Sequence, residues 1–418
     1  MFQTDQTQFL ETAPVDVTIV MPCLNEHLSL PHCIANAQEA LRQIEARYGF
    51  SGEILIADNG STDGSQALAR SLGARVAPVA ERGYGAALIG GCRAARGRYI
   101  LMGDCDGSYD FTDGVAMIGK LAEGHALCMG SRFDGGIAPG AMPWKNRWIG
   151  NPALTGILNL FFRAGINDAH CGLRAITREG FEALRLSGKG MEFASEMVIK
   201  AALLKFSIAQ VPAKLLPDLR QRAPHLRPWR DGWRHLRYLF MLSPTWLFGV
   251  PAVTAGLIAT CILLLALCQI TGLLDRVVVG QSWLLFGGTM TSIAHLSALL
   301  GLASSLYGRR QGYRGIGRLS GLAMRFVTFE IMLIAGMALC AAGVVGFGLV
   351  FANWTSHGFA PAPSLLPALA SVLALSLGTQ NIFGAFLLAI IGGNEADFMA
   401  PDVRAQPEGE RSVAQLAA

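Results

Sequence analysis

The sequence predicts two parts of different class: an α/β domain on a doubly wound, mostly parallel sheet, then an all-α domain of four transmembrane helices. Three observations carry this. Over residues 15–215, short apolar runs alternate with helical patterns at the spacing of strand–helix units. Over 241–392, long uncharged runs dominate. The chain of 418 residues is 52% hydrophobic and only 15% charged, with a mean hydropathy of +0.39, too apolar for a wholly soluble protein. The formal charge of +4 is too small to imply nucleic acid. Nine scattered cysteines without a CxxC pair argue for reduced thiols and against a disulfide frame or structural zinc. The N-terminus is polar, with Asp5 and Glu11 and no apolar core, so no signal peptide is expected and the first domain is expected to stay in the cytoplasm.

Val15–Met21 is a β-branched run that reads as a buried strand, stopped by Pro22 and followed by the loop Cys23-Leu24-Asn25-Glu26. A helix is predicted from about Ser29, with Pro31 tolerated in its first turn. Glu53–Ala57 is the second strand. It runs into Asp58-Asn59-Gly60-Ser61-Thr62-Asp63-Gly64, where Ser61, Thr62 or Asp63 could cap the next helix. Arg75–Val79 is a short third strand, and Arg82-Gly83-Tyr84-Gly85 opens a helix rich in Ala and Gly. Tyr99–Met102 closes the unit and ends in Asp104-Cys105-Asp106-Gly107.

Ligands of such sheets bind at the C-terminal strand edges. Here those edges carry Asn25 and Glu26, Asp58, and the pair Asp104 and Asp106. Two carboxylates two residues apart can face one Mg²⁺ or Mn²⁺, which shares its coordination with phosphate oxygens; the plainer reading is two turn-forming aspartates. The first strand–helix turn lacks GxGxxG, which disfavours a dinucleotide site, and Gly83-Tyr84-Gly85 reads as a tight turn.

Leu127–Ser131 is a further strand, followed by Arg132. Trp144–Arg163 mixes Trp and basic residues at one end with apolar residues after them, and reads equally as a helix on a membrane surface or as a core helix. The segment from Asn167 to Arg174 reads as a polar turn, and Met191–Leu204 as an amphipathic helix flanked by Glu192 and Glu196. Arg220–Arg237 holds six Arg and two His with interleaved aromatics. Because a membrane span follows, a juxtamembrane interfacial helix is favoured over nucleic-acid binding.

Four apolar segments then follow: Leu247–Leu267, Trp283–Leu306, Ile331–Phe351 and Leu365–Ile391. Each can cross a hydrocarbon core of about 30 Å. His295 reads as a packing histidine or a functional group, and Gln380-Asn381 as a polar contact inside the bundle or the mark of a tilted helix. Arg309, Arg310, Arg314, Arg318 and Arg325 fill the loop after the second span, against Arg276 alone after the first. Positive-inside counting therefore places both termini in the cytoplasm. The expected organisation is a catalytic domain at 15–220, an interfacial helix at 221–245, four spans at 246–392 and a polar tail at 393–418.

Taken in order, Val17-Thr18-Ile19-Val20, Pro22 to Asn25-Glu26, Asp58 to Gly64, Arg82 to Ala87, Asp104 to Tyr109 and Gly130-Ser131-Arg132 give a combination no single motif would. It resembles the inverting family-two glycosyltransferases, most closely the polyprenyl-phosphate sugar synthases of dolichol-phosphate-mannose-synthase type, over about residues 15–215. That resemblance implies a GT-A-like nucleotide-sugar fold in a multi-pass plasma-membrane enzyme. Its implied partners are a nucleotide-sugar donor of GDP-mannose or UDP-glucose type and an undecaprenyl or dolichyl phosphate acceptor, and homo-oligomers are left open. It implies Pro22, Asn25, Glu26 and Asp58 around the nucleoside, Gly83 and Ser108 among the substrate residues, and Asp104 and Asp106 on the divalent ion. It also implies Arg132 and Arg147 at phosphates, and Asp168, Arg174 and Glu196 near sugar and acceptor. Two positions depart from the family's mannosyl members: Ser108 stands where they often carry Gln, and Asn151 where they carry Ser. A processive polysaccharide synthase would show a QxxRW motif, which neither Gln221-Arg222 nor Arg230-Asp231-Gly232-Trp233-Arg234 matches. A transporter or flippase is the reading from another class, resting on the four spans with His295 and Gln380-Asn381.

Overall fold

The computed structural model describes residues 15–220, 228–274, 278–314, 327–360 and 364–393. The chain divides into two compact units, Met1–Leu239 and Phe240–Ala418. In the first, seven strands form one sheet: β1 Val17–Cys23, β2 Gly52–Asp58, β3 Arg75–Pro78, β4 Tyr99–Met102, β5 Leu127–Ser131, β6 Arg174–Thr177 and β7 Ile208–Pro212. Their order is β3-β2-β1-β4-β6-β5-β7. β6 alone runs against its neighbours β4 and β5; every other pairing is parallel. The central strands are buried on both faces, which is why β1 reads as a continuous apolar run rather than an alternation.

This order creates the crevice. From β1 the chain winds outward through β2 and β3, then returns to place β4 on the other side of β1. The loops leaving β1 and β4 therefore diverge at a topological switch point, the place where open α/β sheets hold ligands. Helix α1 (Leu30–Tyr48) buries Leu30, Cys33, Ile34, Ala37, Ala40 and Ile44, one helical stripe, and Pro31 sits in its first turn as expected. Helix α2 is Ser65–Ser71; its N-cap is Gly64 rather than one of the predicted caps, although the Asp63 carboxylate accepts from the Ser65 N–H. Helix α3 (Tyr84–Ala94) needs its small residues: a Cβ on Gly91 would lie 2.6 Å from Val20 and 2.8 Å from Ala57 on the sheet.

Three readings need correction. Arg174 begins a strand, β6, rather than ending a turn, and β7 was not anticipated. Helices α4 (Gly114–Ala122), α5 (Arg132–Gly135), α6 (Asn151–Phe162) and α7 (Arg178–Leu184) come between, followed by α8 (Phe193–Leu203). α8 is not amphipathic: every residue from Phe193 to Ala201 is buried, Glu196 included. For Trp144–Arg163 neither reading holds alone. Thr155, Leu158 and Phe162 pack inward, while Trp144 and Trp148 stand 63% and 70% exposed beside Ile149 and Leu160. Helix α9 (Pro228–Met241) covers part of the basic–aromatic stretch, and 221–227 lie outside the described residues.

The second unit holds α10 (Val250–Ile270), α11 (Gln281–Arg310), α12 (Phe329–Ser356) and α13 (Leu366–Ile391). With the turn before α10, they give four candidate spans of 26, 30, 28 and 26 residues. At ~1.5 Å per residue each exceeds a ~30 Å hydrocarbon core. α12 and α13 approach closely on glycine: a Cβ on Gly378 would come 2.7 Å from the Gly336 carbonyl, and one on Gly343 2.8 Å from that of Ser371. His295 Nε2 lies 3.1 Å from Asn381 Oδ1, and Gln380 Nε2 donates to Ser292 Oγ at 2.8 Å and Ser376 Oγ at 3.1 Å. These side chains pin α11 to α13. Arg276, Arg318, Arg325, the N-terminal leader and all but the first residue of the C-terminal tail fall outside the described residues.

Candidate functional site

The loops after β1 and β2 are built as one piece. Asn25 adopts a left-handed φ of 58°, a conformation Asn tolerates better than most residues. It is held there by the Ser61 hydroxyl on its N–H (2.9 Å) and by the Thr62 N–H on its Oδ1 (2.7 Å). Asp58, 2% exposed, accepts from the Gly60 and Ser61 N–H groups and from Gln66 Nε2 at 2.6 Å. Its carboxylate is thus spent on shaping the loop. The Glu26 N–H donates to Ser65 Oγ, and its Oε1 lies 2.9 Å from Arg220 Nε.

The loop after β4 faces these residues. Cys105 Sγ donates to the Pro22 carbonyl, and Ser29 Oγ, at the start of α1, donates to the Cys105 carbonyl at 2.7 Å. Between those anchors Asp104 is wedged against Gly172, where a Cβ would come 2.7 Å from its Oδ2. Burial, and next the charge of Asp106, push the Asp104 carboxyl up to about 6, although Tyr84 donates to it. Asp106 Oδ1 accepts from the Ser108 N–H (3.0 Å) and hydroxyl (2.6 Å), while its Oδ2 lies 3.3 Å from Arg220 Nη2. The loop therefore carries more negative charge than it neutralises, an environment a divalent cation would relieve. Among the described residues no set of three His, Cys, Asp or Glu side chains forms a complete metal cage. The residues present fit a hard cation that keeps one or two carboxylates and takes its other oxygens from substrate phosphates and water.

A second cluster adjoins the first. The Tyr109 hydroxyl accepts from the Gly172 N–H at 2.8 Å, so the 168–174 loop walls the Asp104 loop. Within it, Arg132 makes a bidentate pair with Asp168, Nε to Oδ2 at 2.6 Å and Nη2 to Oδ1 at 2.7 Å. Asp168 is fully buried and also accepts from the Arg132 and His170 N–H groups. Ser195 Oγ, on α8, lies 3.3 Å from His170 Nε2 and 2.8 Å from His235 Nδ1. Burial, and then the neighbouring His235, hold the His170 imidazole well below its usual range and so neutral.

The remaining sequence-predicted residues are placed differently. Arg174 donates to the carbonyls of Cys171 and Ala194, tying α8 to the 168–174 loop. Glu196, fully buried, pairs with Lys200 at 2.7 Å and accepts from the Ser187 and Gly188 N–H groups. Glu196 thereby ties the 187–190 loop to α8. That loop in turn caps α3, since the Ala86 N–H donates to the Lys189 carbonyl. Gly83 is required there: its φ is 135° and a Cβ would sit 2.1 Å from the same carbonyl. Arg147 lies in a half-exposed turn, 5.3 Å from the Trp148 ring, and among the described residues no hydrogen bond or ion pair joins it to either cluster. The sequence reading missed Arg220, counted only as one of a basic run, and His170, whose signal was no more than a histidine inside a polar turn.

The sequence pattern of the family described as Glycosyl transferase family 2 matches residues 18–185, and that of its C-terminal transmembrane region matches residues 302–392. The low-salt glycan biosynthesis hexosyltransferase Agl6 of Haloferax volcanii is 32% identical over 90% of this chain and 89% of its own. A dolichyl-phosphate hexose transferase of the same organism is 27% identical over 47% of this chain and 81% of its own. A polyprenol monophosphomannose synthase of Mycolicibacterium smegmatis is 29% identical over 46% of this chain and 75% of its own.

Proposed function

The chain belongs to glycosyltransferase family 2, and from that premise we propose that it moves a hexose from a nucleotide sugar of GDP-mannose or UDP-glucose type to a polyprenyl phosphate. The observation that carries this reading is the pairing of the Asp104–Asp106 edge at the sheet's switch point with four apolar helices in the same chain. The first suits a nucleoside diphosphate, the second a lipid acceptor. Relatives bearing polyprenyl-phosphate transferase names support the acceptor class. Positive-inside counting supports a cytoplasmic sheet domain.

The reaction is a single displacement. A lipid phosphate oxygen attacks the anomeric carbon; the bond from that carbon to the diphosphate oxygen breaks, its electron pair leaving with the nucleoside diphosphate, and the configuration inverts. A phosphate dianion is already nucleophilic near neutral pH, so no general base is required. Mg²⁺ or Mn²⁺ held by Asp104 and Asp106 would offset the charge that develops on the leaving group. The joined 25–26 and 58–65 loops would seat the nucleoside, and the Arg132–Asp168 pair would present a fixed positive edge toward a phosphate. Positioning and charge complementarity supply most of the rate.

The test is a transfer assay with detergent-solubilised protein, Mg²⁺ or Mn²⁺, undecaprenyl phosphate and a panel of labelled GDP- and UDP-sugars. A labelled lipid is expected from the wild type with one donor class. Asp104→Ala is expected to slow turnover on the order of 10²-fold or more. Near-normal turnover in that variant would overturn the site assignment, and donor hydrolysis without a lipid product would overturn the acceptor.

A further inference from the structure

Two arginine–carboxylate contacts near the candidate site are of different quality. Arg132 meets Asp168 with two aligned hydrogen bonds at 2.6 and 2.7 Å, deep in the fold. Arg220 bridges Glu26 and Asp106 loosely. Its Nη2 is 3.3 Å from Asp106 Oδ2, and its Nε, though 2.9 Å from Glu26 Oε1 and buried, makes no aligned hydrogen bond. The backbone beneath it is firmly seated: the Leu219 N–H donates to the Asp106 carbonyl at 2.8 Å and the Leu216 N–H to the Ser108 carbonyl at 2.9 Å. The Leu219 side chain covers Gly107, where a Cβ would come 2.7 Å from it. A rigid segment thus delivers a loosely held guanidinium to the carboxylate that the proposed function gives to a divalent cation.

We propose that Arg220 is the built-in counter-ion of the cation site, which has to release Asp106 before that carboxylate can hold a divalent ion. This rests on the assignment of Asp104 and Asp106 to the metal. It makes cation affinity a competition. In the ligand-free protein the guanidinium keeps Glu26 and Asp106 from repelling one another and keeps the intrinsic affinity for a cation low. A nucleoside diphosphate changes the balance, because its oxyanions offer the released guanidinium a new partner. Cation and nucleotide then reinforce each other's binding, and by linkage each tightens the other by the same factor.

The experiment is Mn²⁺ binding to the full-length protein in detergent, followed by the loss of the free-ion paramagnetic resonance signal and by calorimetry, alone and with UDP or GDP. Wild type, Arg220→Gln, Arg220→Lys and Asp104→Asn are compared, each first shown to be folded by its far-ultraviolet circular dichroism. A charge-assisted contact is worth enough that its removal is expected to tighten Mn²⁺ binding to Arg220→Gln alone by roughly tenfold or more. The further gain from nucleotide should shrink in that variant, and Arg220→Lys, which keeps the charge, should stay close to wild type. Equal Mn²⁺ affinity in wild type and Arg220→Gln, with binding lost in Asp104→Asn, would overturn the counter-ion role and leave the metal site standing. No Mn²⁺ binding by any variant, with or without nucleotide, would overturn the metal assignment itself.

Discussion

Asp104 should destabilise the protein it serves, and the sign can be measured. Burial and the charge of Asp106 raise its carboxyl from an ordinary 3.8 to about 6. For an acid whose folded pKa is raised, ionisation opposes folding. The penalty is absent below the unfolded pKa, grows between the two values and is complete above 6. Two pKa units correspond to about 3 kcal/mol, and the edge of the side chain still open to solvent reduces this to about 1–2 kcal/mol. Asp104→Asn should therefore melt higher than the wild type at pH 7.5, by roughly 2–8 °C for a unit of this size, and the difference should close as the pH falls toward 4. Asp106→Asn should melt below wild type, because it gives up the carboxylate's contact with Arg220 and weakens the two hydrogen bonds accepted from Ser108. The assay is thermal unfolding of detergent-solubilised full-length protein across pH, without ligands. An Asp104→Asn variant that melts at or below wild type at pH 7.5, or a gap that ignores pH, would refute the electrostatic account.

Arg132→Ala leaves the fully buried Asp168 unpaired and should cost about 3–5 kcal/mol, read as loss of folded protein in denaturant titration. Gly83→Ala would force a side chain onto the Lys189 carbonyl at a φ of 135°, and should cost about 1–3 kcal/mol and weaken nucleotide binding in calorimetry. His295→Ala removes one interhelical hydrogen bond to Asn381, so the bundle should lose only about 0.6–1.7 kcal/mol while transferase activity stays near wild type. Chelating divalent ions should abolish transfer, and Mn²⁺ or Mg²⁺ should restore it in the wild type but not in Asp104→Ala.

What the sequence made legible follows from how local the signals are. β4 and β5 are legible to the residue because each is a short, largely apolar run followed by turn-forming or charged residues. β6 escaped because its four residues have no partner nearby in sequence; its identity comes from pairing with β4 and β5 at once. Glu196 looked like the polar flank of an amphipathic helix because a buried carboxylate satisfied by Lys200 and two backbone N–H groups has no one-dimensional signature. The Asp104–Asp106 pair was visible as a motif, whereas its raised carboxyl and its arginine neighbour arise only once segments far apart in the chain meet.

The same topology that makes a ligand crevice also makes a problem in the absence of ligand. Divergent loops after β1 and β4 bring Glu26 and Asp106 to one place, each nearly closed off from water, so that their repulsion is poorly screened. Burying them permanently against an arginine, as Arg132 does for Asp168, would stabilise the fold but leave no carboxylate for a cation. The segment after β7 offers a different solution. It is fastened by its own backbone, with Leu215 bridging to Tyr109 and to Ile137 and Leu219 bound to the Asp106 carbonyl, so its position does not depend on the guanidinium it carries. Arg220 can therefore leave Asp106 without dismantling the loop that presents it. A firmly held backbone with a weakly held side chain is what a site needs if its charge is to be neutralised both before and after the cation arrives.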